Sequence, residues 1–346
     1  MTPFRVLITG VGSLVGTGIL DVVEGRRERL WVMGTSFGAE APGVFRCDEA
    51  FFTEHSDGAA FERRLEDIIS RSRPDVVIPG RDPDIGVLAS LSERLPAVRS
   101  MVGGPASARL FADKLATFEF ARASGLPVVS TSLATDGPIA PPAIVKPRFG
   151  SGSIGVRILL DRAQIAAARQ EADSVLQPLI GPVPPIPDVS QGWPLFWQCR
   201  PARQGGVQGL ILPDGAVGPS LAFEVTHEAG KVTEQWVVED AELVALGAGY
   251  LRALADAGWR GPANVACVHT GSEWLGLELN GRFTGGTAAR TAMGFDEVGL
   301  AINAWAGREV LRPRPATLVR RAVMQPSALG LVDSEVETFR RTRRWP

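Results

Sequence analysis

The stretch Leu275-Gly276-Leu277-Glu278-Leu279-Asn280-Gly281-Arg282-Phe283-Thr284-Gly285-Gly286 alternates apolar and polar side chains, a period of two that only an extended strand sorts onto opposite faces. Leu275, Leu277 and Leu279 are expected on one face, with Glu278, Asn280 and Arg282 on the other. A carboxylate and an amide oxygen flanking one residue, followed by a guanidinium on the same side, can seat Mg²⁺ and the phosphates it neutralises. A half-buried antiparallel strand with a solvated polar face would alternate in the same way. The Gly285-Gly286 pair behind Arg282 and Phe283 points instead to a backbone that closes on a ligand.

A second motif lies upstream, Val145-Lys146-Pro147-Arg148-Phe149-Gly150-Ser151-Gly152-Ser153-Ile154-Gly155-Val156. A lysine at the end of a buried strand is costly unless its ammonium finds an anion, and the Gly/Ser loop after it offers backbone N–H groups that can fold over phosphates. Lys146 then acts as a point charge, and Ser151 and Ser153 add hydroxyl donors. The competing reading is a flexible Gly/Ser hairpin tip.

The 346 residues are 45% hydrophobic and 21% charged, which suits a globular chain of two or three domains. A formal net charge of -2 argues against nucleic acid or a membrane surface as the principal partner. The basic cluster Arg340, Arg341, Arg343 and Arg344 is read as a solvated tail, with a helix end near an anionic ligand as the alternative. Cys47, Cys199 and Cys267 lack paired spacing, so neither a disulfide framework nor a zinc site is expected. The apolar N-terminal run is interrupted by Gly10, Gly12, Gly16 and Gly18 and followed by charges, unlike a secretion signal. No other segment approaches the ~20 apolar residues of a membrane span. A cytoplasmic protein is expected.

Short apolar runs at 5–9, 30–33, 75–78 and 100–102 alternate with helical segments at 14–24, 59–71 and 84–94, which predicts a small doubly wound parallel sheet. Pro79-Gly80-Arg81-Asp82 follows one of these strands, where open α/β sheets bind ligands, so Arg81 is a candidate for an anionic substrate group or, with Asp82, a helix cap. The turn Gly10-Val-Gly-Ser-Leu-Val-Gly16 departs from a dinucleotide fingerprint, and NAD is not expected. Asp113-Lys114 is placed inside a helix at 107–123. An α+β region follows, with a helix at 161–172, strands at 175–180, 263–269 and 274–280, helices at 240–257 and 296–306, and a proline-spaced tail.

In this order, the glycine-rich first strand-turn-helix with Asp75-Val-Val-Ile-Pro79, Asp113-Lys114, Lys146-Pro147 through Gly155, and Glu278-Leu-Asn280-Gly-Arg282-Phe-Thr-Gly-Gly resemble the ATP-grasp superfamily of carboxylate-amine ligases, in particular the ATP-grasp domains of carbamoyl phosphate synthetase large subunits. The resemblance covers about residues 5 to 310. It implies an α/β and α+β ATP-grasp fold with an N-terminal doubly wound pre-ATP-grasp domain at 1–105, a small or lid subdomain at 106–185, a C-terminal subdomain with the metal site at 186–312, and an extension at 313–346.

The same resemblance implies ATP and Mg²⁺ as cofactors. Lys114 and Lys146 would contact phosphates beneath a closing loop with Ser151, Gly152, Ser153 and Gly155. Gln177, Leu179 and Ile180 would form the adenine hinge, Glu278 and Asn280 would hold metal, and Arg282 would face the transferred phosphoryl group. Arg290 is a further candidate for a substrate carboxylate. The ribose partner is unassigned, with Asp188 a guess, and Ala266 stands where the family places another metal ligand. His227, Glu228 and Lys231 fall near the triphosphate region, with a solvated β-turn as the alternative.

The expected activity is ligation of a small-molecule carboxylate to an amine through an acyl phosphate, by a possible homodimer. The alternatives are an ATP-binding module impaired in catalysis, a kinase-like enzyme that stops at the acyl or carbamoyl phosphate, and an oxidoreductase built on the first sheet.

Overall fold

The computed structural model describes residues 2–55, 58–95, 97–150, 152–182, 202–228, 231–315, 317–325 and 330–346; Ser151, Asp188 and Cys199 lie outside them. Strands β1 (Phe4–Ile8), β2 (Leu30–Ser36), β3 (Glu49–Phe52) and β4 (Val76–Ile78) pair in parallel in the order β3-β2-β1-β4. They are continuous apolar runs because helices cover both faces. Leu7, Met33 and Val77 pack with the helices Ala59–Ser72 and Asp82–Arg94. Val6, Ile8, Val32 and Ile78 pack with Leu14–Val23 and Glu297–Ala306. The apolar run at 100–102, expected as a strand, contributes only an isolated parallel bridge between Ser100 and Val77.

The helix expected at 107–123 is two helices, Pro105–Ala112 and Lys114–Ala123. Asp113 is extended between them, and its carboxylate accepts from the backbone N–H groups of Leu115 and Ala116 at 3.0 and 3.3 Å. An N-capping aspartate starts a new helix rather than continuing an old one. Beyond it, β5 (Ser132–Leu133), β6 (Ala143–Pro147), β7 (Arg157–Leu159) and β8 (Ser174–Pro178) form an antiparallel sheet in the order β5-β8-β6-β7, backed by Ile165 of the helix Arg162–Ala168.

A larger antiparallel sheet contains β9 (Gln204–Ile211), β10 (Val217–Glu228), β11 (Lys231–Val237), β12 (Gly261–His269), β13 (Trp274–Asn280) and β14 (Arg321–Val323), ordered β13-β12-β9-β10-β11-β14. The helix Ala241–Asp256 lays Leu243, Leu246, Tyr250, Leu251 and Leu254 on one face, against Val207, Val265, Trp274 and Leu279. That 3–4 spacing is the apolar stripe of a helix covering a sheet. The neighbours of those strand residues, Gly206, Asn264, Ala266, Glu278 and Asn280, therefore face the other way.

The alternation expected for β13 is broken in one place. Ala266 pairs with Glu278 but Cys267 pairs with Gly276, so Leu277 is an extra residue on its strand. This bulge turns Leu277 to the same side as Glu278, away from Leu279, as bulges beside functional sites often do.

The basic tail keeps its arginines exposed, but it is a folded element rather than a free segment. The helix Asp333–Thr342 buries Val336 and Phe339 against the first sheet, and β15 (Arg344–Trp345) pairs antiparallel with β3 as its new edge. Arg344 meets Glu49 at 2.6 Å, Arg343 meets Glu54 at 2.5 Å, and Arg340 pairs with Glu40 and Glu337. Among the described residues, no helix is long and apolar enough to cross a membrane.

Candidate active site

The two antiparallel sheets face one another across a cavity of about 990 Å³. Ile144, Ile158 and Gln177 form one cross-strand row on its small-sheet wall, and Leu277 lines it from the large sheet. Gln177 donates Nε2–H to Thr131 Oγ1 at 2.9 Å, while its buried Oε1 has no partner. Apolar walls with one unsatisfied acceptor fit a flat heterocycle carrying an amino donor, such as adenine. Leu179 and Ile180 also line the cavity, and the Leu179 N–H is already given to Pro142 O at 3.1 Å.

Lys146 follows Ile144 on the same face of β6 and reaches into the cavity. No described residue gives its ammonium a hydrogen bond or ion pair. Burial pulls its pKa down from the ordinary lysine value, Glu278 opposes that shift, and Lys114 adds to it. Lys114 is likewise lowered by burial, against the pull of Glu278, Asp82 and Asp113, and donates to Gly150 O at 2.8 Å. Two desolvated ammonium groups beside one another are unfavourable unless an anion joins them.

The loop after Lys146 is fastened at its root. Arg148 donates Nε–H and Nη2–H to the two carboxylate oxygens of buried Asp113 at 2.8 and 2.6 Å, and Phe149 bridges Asp113 through the backbone. Gly150, Gly152 and Ser153 then line the cavity, with Ser153 in the left-handed region at φ 58°. Gly155 does not line it. Its φ is 76°, and a Cβ there would lie 2.8 Å from Pro147 Cγ, so it closes the loop back onto its own strand.

On the large sheet, Glu278 and Asn280 sit side by side with Ala266 and Asn264 opposite them. Arg282 donates Nη2–H to Asn280 Oδ1 at 3.1 Å, and a carbonyl oxygen keeps a second lone pair for a metal. Among the described residues, no cluster of three His, Cys, Asp or Glu side chains exists. One carboxylate with one amide oxygen suits Mg²⁺, which takes few protein ligands and completes its shell with phosphates and water. The donor set therefore fits, and Ala266 contributes no oxygen to it.

The two arginines have internal partners. Arg282 grips Asp82 through Nε and Nη2 at 2.7 and 2.6 Å, tying β13 to the first turn of the helix Asp82–Arg94. Arg290, 1% exposed, donates Nε–H and Nη2–H to Glu297 Oε1 at 3.1 and 2.6 Å. Burial pushes the Glu297 carboxyl up, and Arg290 and the Thr287 hydroxyl oppose that shift. Arg290 lines the cavity, but its charge is already met.

Of the residues expected to act, Lys114, Lys146, Gly152, Ser153, Gln177, Leu179, Ile180, Glu278, Asn280, Arg282 and Arg290 line this one cavity. Arg81 does not: its guanidinium lies over the Phe37 ring, 4.8 Å from the centroid, at the end of the first sheet. His227 lines the cavity with Nδ1 unpartnered and its pKa lowered by burial; the Lys231 side chain is outside the described residues. Sequence reasoning missed the carboxylates that hold the arginines, Asp82 and Glu297, and the latch between Asp113 and Arg148. An aspartate directly before a helical run was a signal for the cap at Asp113.

No protein-family model and no curated protein matches the chain. Among solved structures it is similar to N5-carboxyaminoimidazole ribonucleotide synthetase in its ADP complex, at 16% identity over 91% of this chain and 80% of that one, TM-score 0.67. It is also similar to the biotin carboxylase domain of Hydrogenobacter thermophilus 2-oxoglutarate carboxylase with MgADP, ADP and bicarbonate, at 15% identity over 90% and 73% of the two chains, TM-score 0.64. A third is the L-amino acid ligase from Bacillus licheniformis, at 15% identity over 90% and 78%, TM-score 0.65. Likeness at this level shows the fold, and the fold is that of the ATP-grasp enzymes, as the motifs led one to expect.

Proposed function

We propose that the chain is an ATP-dependent ligase that joins a small-molecule carboxylate to an amine through an acyl phosphate, with Mg²⁺ and ATP in the cavity. The observation that carries this reading is the pair Lys114 and Lys146, two half-buried ammonium groups with no protein anion bonded to either, facing Glu278 and Asn280. A triphosphate supplies the missing negative charge. The structural relatives support it, since two are described with ADP and one as an amino acid ligase.

In this reading adenine lies along Ile144, Ile158, Leu277 and Gln177, next to Leu179 and Ile180, and the phosphates run towards Lys146 and Lys114 beneath Gly152 and Ser153, with Ser151 as a further donor. Glu278 and Asn280 hold Mg²⁺, which when bound neutralises charge on the phosphate oxygens. A carboxylate oxygen of the acid attacks the γ-phosphorus and ADP leaves. The amine then attacks the acyl carbon, releasing phosphate and a proton. Arg282, oriented by Asp82, faces the transferred group. These steps need positioning and charge neutralisation more than acid–base chemistry.

The division at residues 105, 185 and 312, the cytoplasmic location, the homodimer and a partner set limited to small molecules belong to the same proposal. Incubation with ATP, Mg²⁺, a panel of carboxylic acids and hydroxylamine tests it: an acyl phosphate is trapped as a hydroxamate. ADP release without hydroxamate supports phosphoryl transfer to another acceptor. Nucleotide binding without ADP release on any acid supports the second reading, a binding module, which the missing oxygen at Ala266 favours.

A further inference from the structure

The first sheet reverses its direction of winding beside β1. The chain passes from β1 to β2 to β3 on one side, then crosses through the helix Ala59–Ser72 and places β4 on the other side of β1. Open α/β sheets bind ligands in the crevice outside the strand ends at such a point. Its two banks here are the turn 10–13 after β1 and the turn 79–81 after β4, joined by the Ser13 hydroxyl, which donates to Gly80 O at 2.8 Å.

Arg81 is the cation of this crevice. Its stem crosses Gly10, which has φ 59° and where a Cβ would lie 2.6 Å from Arg81 Cγ, and its guanidinium lies 4.8 Å from the centroid of the Phe37 ring. Stacking uses the face of a guanidinium and leaves its N–H edge free to donate. Among the described residues nothing is hydrogen-bonded or ion-paired to that edge. The carboxylates that follow β2, β3 and β4 are committed elsewhere: Glu40 to Arg340, Glu54 to Arg343, Asp82 to Arg282, and Asp84 to Thr9 Oγ1 at 2.6 Å.

The crevice shares a wall with the cavity. Asp82, next to Arg81, is held by Arg282, which lines the cavity. On the other bank, a Cβ on Gly285 would lie 3.6 Å from Leu14 Cβ, and the neighbours of Gly285, Thr284 and Gly286, line the cavity. A ligand at the Arg282 end of the cavity can therefore extend past Leu14 towards Arg81. Leu14, 73% exposed, and Phe37, 45% exposed, add apolar surface for the methylenes of such a ligand.

A single guanidinium matches a planar, singly charged carboxylate through two parallel N–H···O bonds. A phosphate monoester brings about two negative charges and would leave one unmet. An ammonium would be repelled. We infer that Arg81, stacked on Phe37, holds a second carboxylate of the acid substrate, so that the enzyme activates one carboxyl group of a dicarboxylic acid. This deepens the ligase reading and rests on it for which carboxylate reacts, though the binding itself does not require turnover.

The test is calorimetric titration of the full-length chain with succinate, glutarate and adipate, each against its own mono-amide, and with 3-phosphonopropionate, in the presence and absence of a non-hydrolysable MgATP analogue. One diacid should bind about tenfold to a hundredfold more tightly than its mono-amide, the worth of hydrogen bonds to a charged group. Arg81→Gln should erase that preference while the variant still takes up the nucleotide analogue, which shows that it has folded. Arg81→Lys, which keeps the charge and loses the fork, should restore part of it. Equal binding of the diacid and its mono-amide, a preference that survives in Arg81→Gln, tighter binding of the phosphonate than of every diacid, or no binding of any diacid each overturns the inference. Absence of nucleotide binding would sink the ligase reading while leaving the diacid preference, and its dependence on Arg81, readable in the nucleotide-free titrations.

Discussion

The cavity holds cations of two kinds, and they are treated in opposite ways. Lys114 and Lys146 are half-buried without a bonded carboxylate, and their pKa values are lowered by desolvation. Arg282 and Arg290 each hold a carboxylate by two hydrogen bonds, Asp82 and Glu297. A charge met inside the protein builds structure, whereas a charge left unmet in a cavity waits for a ligand. The lysines therefore mark the site of the anion, and the arginines fix the strand and loop around it.

The contrast predicts opposite consequences for stability and function. Glu297→Ala leaves a buried guanidinium unpaired and should cost about 3–5 kcal/mol in denaturant unfolding, with most of it recovered in an Arg290→Leu, Glu297→Leu double variant. A loss confined to the double variant would erase the distinction between the two kinds of cation. Glu278→Gln should next lower turnover by about 2.7–4 kcal/mol of transition-state stabilisation and raise the Mg²⁺ requirement, read in a metal titration of ADP release. Asp82→Asn weakens the grip on Arg282 and should cost roughly 1.5–3 kcal/mol of stability, seen as a lower unfolding midpoint.

The smallest effect is in pH. A lysine whose folded pKa lies below its unfolded value binds fewer protons folded than unfolded between the two, so stability without nucleotide should rise with pH through that window. The triphosphate favours the protonated lysines, so nucleotide affinity should fall with pH over the same window, by up to about tenfold per pH unit for each lysine. Titrations in buffers of different ionisation enthalpy would show proton uptake on binding; release instead of uptake would reverse the assignment.

What could be read from the sequence divides along a similar line. Lys146 and its loop, and Glu278 with Asn280, were legible because a period of two and a run of glycines are local signals. The fold class followed from the alternation of strands and helices. The bulge at Leu277 was not legible, since one extra residue in β13 is defined only by the register against Ala266 and Cys267. Nor were the partners of the arginines: Asp82 is 200 residues from Arg282, and Glu297 lies on a different helix from Arg290. The tail was misjudged because its arginines meet Glu40, Glu49 and Glu54, which are distant in sequence. Gln235 carries no motif at all; its burial with neither amide atom bonded is defined only in the folded sheet.

The most direct test of the central claim is calorimetric titration of a MgATP analogue into the wild-type chain and into Lys146→Ala. The account predicts binding of one nucleotide by the wild type and, with its unmet charge removed, affinity at least about a hundredfold lower in the variant, with no loss of folding stability. Equal affinities in the two proteins, or no binding by the wild type, would contradict it.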